Sequence, residues 1–333
     1  MTDTNTGLER AADRLADADQ PEAAALVQTV TEADGTAPLS EDGRLALAHG
    51  RAGCVHFVWR AGDADDAESI DTGSITGYLY LSPADEQGDR TAELCVAPRS
   101  RRRGIARALV EAALGETSGT LHVWAHGALP GQPQLAAKTG FYAVRELRLL
   151  ELSLADPAGG PRVFEVPPTP PGVELSTFRP GEDDAAWLAL NARAFAHHPE
   201  QGRWTERDLA EREAEPWFDP AGFFLARATG EPDEGGPGKG GLLGFHWTKV
   251  HPAGAYGPGP VGEVYVLGVD PGAGGRGLGR LLTLVGLQHL AQSGLQTVVL
   301  YVDADNTPAV RLYTSLGFLS RTVDTLYERH GLG

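Results

Sequence analysis

The sequence predicts a mixed α/β protein in which one domain plan is used twice in tandem. The first observation is an apolar run at residues 264–269 that ends at Asp270-Pro271. It crosses a loop holding Gly272, Gly274, Gly275, Gly277 and Gly279. It then enters a helix with Leu278, Leu281, Leu282, Val285, Leu287 and Leu290 on its apolar side. The second is an earlier copy. Glu93-Leu94-Cys95-Val96-Ala97-Pro98 leads into Arg101-Arg102-Arg103-Gly104-Ile105-Ala106, followed by a helix over 108–114, a strand over 121–124 and Thr139-Gly140-Phe141. The copies lie about 173 residues apart at the loop and about 177 at the Gly-Phe pair, the length of a whole domain rather than a solenoid repeat. The third is a segment rich in proline and glycine, 156–172, which cannot be helical and reads as a linker. The domains are therefore expected at 8–155 and 173–333.

Each element follows from its own pattern. Residues 1–7 are expected to be disordered, and 8–31 read as a helical pair broken near Gln20-Pro21. Apolar runs at 54–59 and 77–82 read as strands on either side of the acidic loop 63–71, and 143–154 as the strand closing the first copy. The second copy begins with a strand at 173–178 and helices at 183–195 and 206–213. Strands at 223–228 and 241–249 then flank 229–240, a Gly/Pro/Glu-rich stretch expected to be a mobile hairpin loop.

A length of 333 residues with 41% hydrophobic side chains suits two ordinary cores. The formal charge of −17 argues against non-specific nucleic-acid binding. No apolar run has transmembrane length and no signal peptide is apparent. Cys54 and Cys95, both in apolar strand-like stretches, read as reduced thiols of a cytoplasmic protein. His197, His198, His246 and His251 lack the carboxylate spacing of a metal site, so no metal is expected. A monomer acting on a small molecule, without membrane or nucleic acid, is the expectation.

The loop sets the chemistry. Glycines between a strand and a helix leave backbone N–H groups pointing into one cup, where the helix N-terminus and Arg276 add positive charge, so the cup is a diphosphate seat. The dinucleotide fingerprint fails because Leu282 stands where a third glycine belongs, and no Gly-Lys-Ser/Thr of the Walker type occurs. The pattern instead resembles the acetyl-coenzyme A loop of GNAT acetyltransferases, (Gln/Arg)-x-x-Gly-x-(Gly/Ala). Arg101 to Ala106 match it fully, whereas the second loop has Gly274 at its first position. The downstream Asn306, Tyr313 and Gly317-Phe318 stand at GNAT spacing.

Acetyl transfer to an amine requires a base for the amine and an acid for the departing thiolate. Glu263 opens the strand leading to the second loop, near where that resemblance places the thioester, and is the expected base. Tyr313, on the helix after Asn306, is the expected acid, since GNAT folds place a tyrosine there against the sulfur. By the repeat offsets the first copy has Arg90, Leu129 and Ala136 where the second has Glu263, Asn306 and Tyr313. Catalysis is therefore expected in the second copy alone.

Over nearly its whole length the chain resembles the mycothiol synthase family, tandem-GNAT acetyltransferases of actinobacteria. The resemblance is carried by Ala37-Pro38-Leu39-Ser40-Glu41, Trp124-Ala125-His126-Gly127 and His198-Pro199-Glu200-Gln201-Gly202. Trp217-Phe218-Asp219-Pro220, the stretch from Gly244 to Pro252 (GFHWTKVHP) and that from Gly262 to Pro271 (GEVYVLGVDP) complete it. A composition favouring arginine over Lys138, Lys239 and Lys249, with abundant Ala and Gly, suits a high-GC source. The resemblance implies acetylation of the cysteinyl amine of Cys-GlcN-inositol by acetyl-CoA. It implies substrate contacts from Glu41, Glu200, Lys249, Glu263 and Tyr301. It also implies that Leu267, Gly268, Val269, Gly274, Gly275, Arg276, Gly277, Leu278, Gly279, Arg280, Asn306, Thr307, Pro308, Ala309, Val310 and Arg311 hold acetyl-CoA. Leu94, Cys95, Val96, Arg101, Arg102, Arg103, Gly104, Ile105 and Ala106 would hold a second molecule. Two alternatives stay open on the residues alone: a GNAT enzyme for another amine or a protein N-terminus, and a non-catalytic acetyl-CoA binder.

Overall fold

The computed structural model describes residues 7–62, 73–156, 158–197, 199–230 and 240–330, without the side chains of residues 199 and 200. The acidic loop at 63–71 and most of the loop expected at 229–240 lie outside the described residues. Along the chain run β1 (Leu8–Ala12), α1 (Asp19–Asp34), α2 (Glu41–His49), β2 (Val55–Arg60), β3 (Ile75–Leu81), β4 (Arg90–Val96), α3 (Ile105–Gly115), β5 (Thr120–Ala125), α4 (Gln132–Thr139) and β6 (Tyr142–Ser153). Then come β7 (Val173–Thr177), α5 (Asp184–Ala194), α6 (Pro199–Gly202), α7 (Glu206–Glu213), β8 (Phe223–Ala228), β9 (Leu242–His251), β10 (Val261–Val269), α8 (Leu278–Gln292), β11 (Thr297–Asp303), α9 (Thr307–Ser315) and β12 (Leu319–His330).

The chain forms two compact units. The first comprises Met1–Arg148, Asp303–Asn306 and Arg321–Gly333, and the second Leu149–Val302 and Thr307–Ser320. In the first, β1-β2-β3-β4 are antiparallel neighbours, β4 runs parallel to β5, and β12 pairs antiparallel with β5. Apolar residues of α3 and α4 (Ile105, Leu109, Val110, Ala136) cover one face with Phe57, Leu79 and Ala92. Those of α1 and α2 cover the other with Val58, Tyr78 and Tyr80. This is the alternation expected when both sheet faces are buried under helices.

The first element departs from the sequence expectation. Residues 8–12, read as helical, form the edge strand β1, paired from Leu8↔Trp59 to Ala12↔Val55. Leu-Glu-Arg-Ala-Ala has good helix propensity, but pairing with β2 outweighs a preference of a few tenths of a kcal/mol per residue, roughly.

In the second unit β7-β8-β9-β10 are antiparallel neighbours, β10 runs parallel to β11, and residues 149–153 of β6 lie beside β11. Helices α8 and α9 bury Leu284, Leu287, Leu290 and Tyr313 against Val264, Leu300 and Val302. On the opposite face α5 and α7 pack Trp187, Leu190 and Leu209 on Phe223, Phe245 and Trp247. The proline-rich segment is packed rather than free: Phe164 is buried in the core of α8 and its N–H donates to Gln288 Oε1 at 2.9 Å. No helix among the described residues is long and apolar enough to cross a membrane.

Candidate active site

The two glycine loops have one backbone. Each begins with a 3-10 turn, Pro98–Ser100 or Pro271–Ala273, at an offset of 173. Each then takes left-handed residues at matching places, Arg102 (φ 66°) with Gly275 (φ 77°) and Gly104 (φ 88°) with Gly277 (φ 75°). Gly104 and Gly277 are the N-caps of α3 and α8, and neither helix receives a side-chain cap, so its first N–H groups stay available. A Cβ on Gly104, Gly275 or Gly277 would meet nothing within 4 Å, so the space over the cups is open. These features fit a diphosphate in both units. In the second loop Asp270 Oδ1 braces Gly272 N at 2.8 Å, and its other oxygen receives Arg193 at 2.7 Å.

The side chains around the cups differ. Arg101 makes a bidentate pair with Asp34 at 2.8 and 2.7 Å and donates to Val96 O, so its guanidinium braces its own loop. One of the three arginines expected to hold the second acetyl-CoA is thereby engaged by Asp34 and its own loop. Leu94, Cys95 and Val96 end β4, and Ile105 and Ala106 open α3. In the second unit Leu267, Gly268 and Val269 end β10. Gly268 is required by packing, since a Cβ there would stand 2.7 Å from the Phe245 ring. Gly274, Gly275 and Arg276 form the turn, and Leu278, Gly279 and Arg280 the first turn of α8. Arg276 reaches Pro171 O at 3.1 Å and Arg280 reaches Ser315 Oγ at 3.2 Å. Asn306 N donates to Asp303 O, and Thr307, Pro308, Ala309, Val310 and Arg311 open α9.

The strand register brings three of the five expected acceptor-side residues onto one sheet face. Lys249 of β9 faces Glu263 of β10, and Glu263 faces Val299 of β11. Tyr301, two residues beyond Val299, therefore shares that sheet face. Its ring packs with Leu149, Val261 and Val299. Glu263 is buried, and its Oε2 lies 2.6 Å from His251 Nε2. Lys249, also buried, holds its ammonium 3.9 Å from the centre of the Trp217 ring and 4.8 Å from that of Tyr265. Tyr313 is buried on α9 beside Phe318 and packs in the core containing Val264; burial pushes its hydroxyl up to about 12. Glu41 opens α2 in the first unit, after the Ser40 cap. Glu200 falls in α6, its side chain outside the described residues.

The repeats differ where chemistry is expected. The bond from Phe141 N to Ala136 O recurs as Phe318 N to Tyr313 O, so Ala136 is the counterpart of Tyr313. Between β9 and β10 the register shifts at Tyr265, whereas β3 and β4 pair without a shift. That extra residue moves the counterpart of Glu263 from Arg90, given by the loop offset, to Thr91; neither is a carboxylate.

Sequence reasoning missed a buried cluster in the first unit. His126 Nδ1 meets Asp324 Oδ2 at 2.7 Å and its Nε2 meets Glu93 Oε1 at 3.2 Å. The other Glu93 oxygen accepts from Ser40 N and Oγ, both at 3.0 Å. Burial lowers the imidazole's proton affinity, but the two carboxylates outweigh it and leave His126 raised to about 10. His251 was missed as well, although its spacing of two from Lys249 on a strand signals a shared face.

Residues 187–318 match the acetyltransferase (GNAT) family model, and residues 52–143 a GNAT acetyltransferase domain model. A mycothiol acetyltransferase of Geodermatophilus obscurus is 49% identical over 97% of this chain and 98% of its own length. One from Catenulispora acidiphila is 45% identical over 98% and 100%. The chain belongs to the mycothiol acetyltransferase family. It is an acetyltransferase with two GNAT domains. The fold recurs in a tandem GNAT protein of the clavulanic acid biosynthesis pathway, with TM-score 0.66, 22% identity and coverage of 98% of this chain and 99% of that one. It recurs also in a GCN5-related N-acetyltransferase of Sphaerobacter thermophilus, with TM-score 0.65, 21% identity and coverage of 97% and 95%.

Proposed function

We propose that the chain acetylates the cysteinyl α-amine of Cys-GlcN-inositol to give mycothiol, with the chemistry in the second unit. The row Lys249–Glu263–Val299, with Tyr301 on the same face, carries this reading. A hydroxyl-rich sugar–inositol needs carboxylate acceptors and a cationic donor, and Glu263 and Lys249 supply one of each. Glu200, in α6 of the same unit, is a further candidate for that substrate.

Acetyl-CoA supplies an activated acetyl group as its thioester. The α8 cup, with Leu267, Gly268, Val269 and the start of α9, would hold it. A free α-amine loses its proton near about pH 8, so a carboxylate suffices as base. Glu263 takes that proton as the amine nitrogen attacks the thioester carbonyl, and Tyr313, protonated at neutral pH as any tyrosine is and held more firmly so by burial, donates one to the sulfur as the C–S bond breaks. The first unit shares the cup but not Glu263 or Tyr313, and is assigned a second acetyl-CoA without turnover.

The test is steady-state acetylation of Cys-GlcN-inositol beside a panel of small amines. Glu263→Gln is expected to lower kcat by roughly 100-fold or more at neutral pH, with partial recovery as the amine deprotonates unaided. Wild-type kcat in this variant between about pH 6 and 9 would remove Glu263 as base. Preference for another amine would replace the substrate.

A further inference from the structure

We infer that His251 is a positioning residue for the transfer, acting through Glu263. The inference rests on the reading of Glu263 as base. A carboxylate has only acceptor oxygens, so at 2.6 Å the ring Nε2 must carry the hydrogen and donate it to Oε2. That bond leaves Oε1 as the oxygen with capacity for the amine proton and fixes the carboxylate's rotation. The histidine is itself held. It is buried near the end of β9, pairs across the ladder with Val261, and has the Tyr256 ring edge-on at 4.8 Å.

Lys249 is the residue directly opposite Glu263, yet its ammonium lies over Trp217 and Tyr265. The short contact to Glu263 comes instead from the diagonal neighbour two residues along. A base buried in a strand gains from such a partner, because a carboxylate free to rotate spends part of its time with neither oxygen aimed at the amine. The proton moves from the amine nitrogen to Glu263 Oε1 while the Nε2–H bond to Oε2 is kept, so His251 neither gains nor loses a proton in the step.

Three variants test this, each assayed for acetylation of Cys-GlcN-inositol. His251→Phe keeps the ring volume and removes the donor; kcat is expected to fall by up to about 100-fold, the order of loss when a reacting group is misplaced by about an ångström, with KM for acetyl-CoA unchanged. His251→Gln replaces Nε2–H with an amide donor of similar reach and is expected to restore most of the rate. Combined with Glu263→Gln, His251→Phe should cost nothing further, because the histidine works through that carboxylate. Wild-type kcat in His251→Phe, a His251→Gln as slow as His251→Phe, or full additivity with Glu263→Gln would each overturn the inference. If instead Glu263→Gln alone retains full activity, the assignment of the base fails. If only the His251 variants behave as wild type, the base stands and the positioning role falls.

Discussion

Tyr313 has a packing role and a proposed acid role that one substitution separates. Its ring fills the core beside Phe318, and its hydroxyl, raised to about 12 by burial, keeps its proton at neutral pH. Tyr313→Phe preserves the ring. We expect kcat to fall by about 100-fold or more while acetyl-CoA affinity and thermal stability change little, because the hydroxyl acts on the departing sulfur rather than in ground-state binding. An unchanged kcat would leave Tyr313 a packing residue. Glu263 and Tyr313 could be singled out as candidates from the sequence because the first repeat lacks both and so serves as an internal control. His251 was not, since its meaning depends on a diagonal neighbour across a ladder. The counterpart of Glu263 was misplaced by one residue because the shift at Tyr265 leaves no mark in the residues themselves.

Among the elements, the loops keep their shape even where side chains resist it. Arg102 holds a left-handed backbone that glycine takes at the matching place in the second loop, at a cost on the order of 1–3 kcal/mol. That retained turn is one reason for proposing a second acetyl-CoA in the first unit. With Arg101 tied to Asp34, the double charge reversal Arg102→Glu and Arg103→Glu is expected to abolish one of two acetyl-CoA equivalents in calorimetry, while turnover in the second unit persists. A single equivalent in the parent protein would remove the two-site reading. The His126 cluster joins β4, the end of β5, the Ser40 cap of α2 and β12. His126→Gln leaves Glu93 and Asp324 buried without their cation, a loss of about 3–5 kcal/mol. Since the folded-state proton affinity is raised, this contribution is complete below about pH 6.5 and disappears as the pH rises through about 10. Denaturant titrations of parent and variant should therefore converge on the alkaline side. A constant difference from pH 6 to about 10.5 would show that His126 contributes packing alone.

At the scale of the whole molecule, repeats in sequence and units in space part company at two strands. Residues 149–153 of β6, written in the first repeat, belong to the second unit, and Arg321–Gly333, the end of the second repeat, belong to the first. The tandem plan was legible because loop–helix signals are local. The placement of its last strands was not, because ladder pairing between β5 and β12 joins residues some two hundred positions apart. Shortening the chain to end at Ser320 makes this testable. It removes the ladder from Thr325↔Ala125 to His330↔Thr120, the packing of Tyr327 in the α3 core, and Asp324, which holds both His126 and Gly127 N. Glu263, Tyr313, the α8 cup and the core of α8 and α9 all lie before the cut. We expect amides of β4 and β5 to lose hydrogen-exchange protection first, with α8 and β10 retaining theirs, because local stability follows the contacts each unit keeps. Equal loss of protection in both units would show that they unfold as one cooperative body. Full protection of β5 in the shortened chain would show that its pairing with β12 contributes nothing to the first unit's stability.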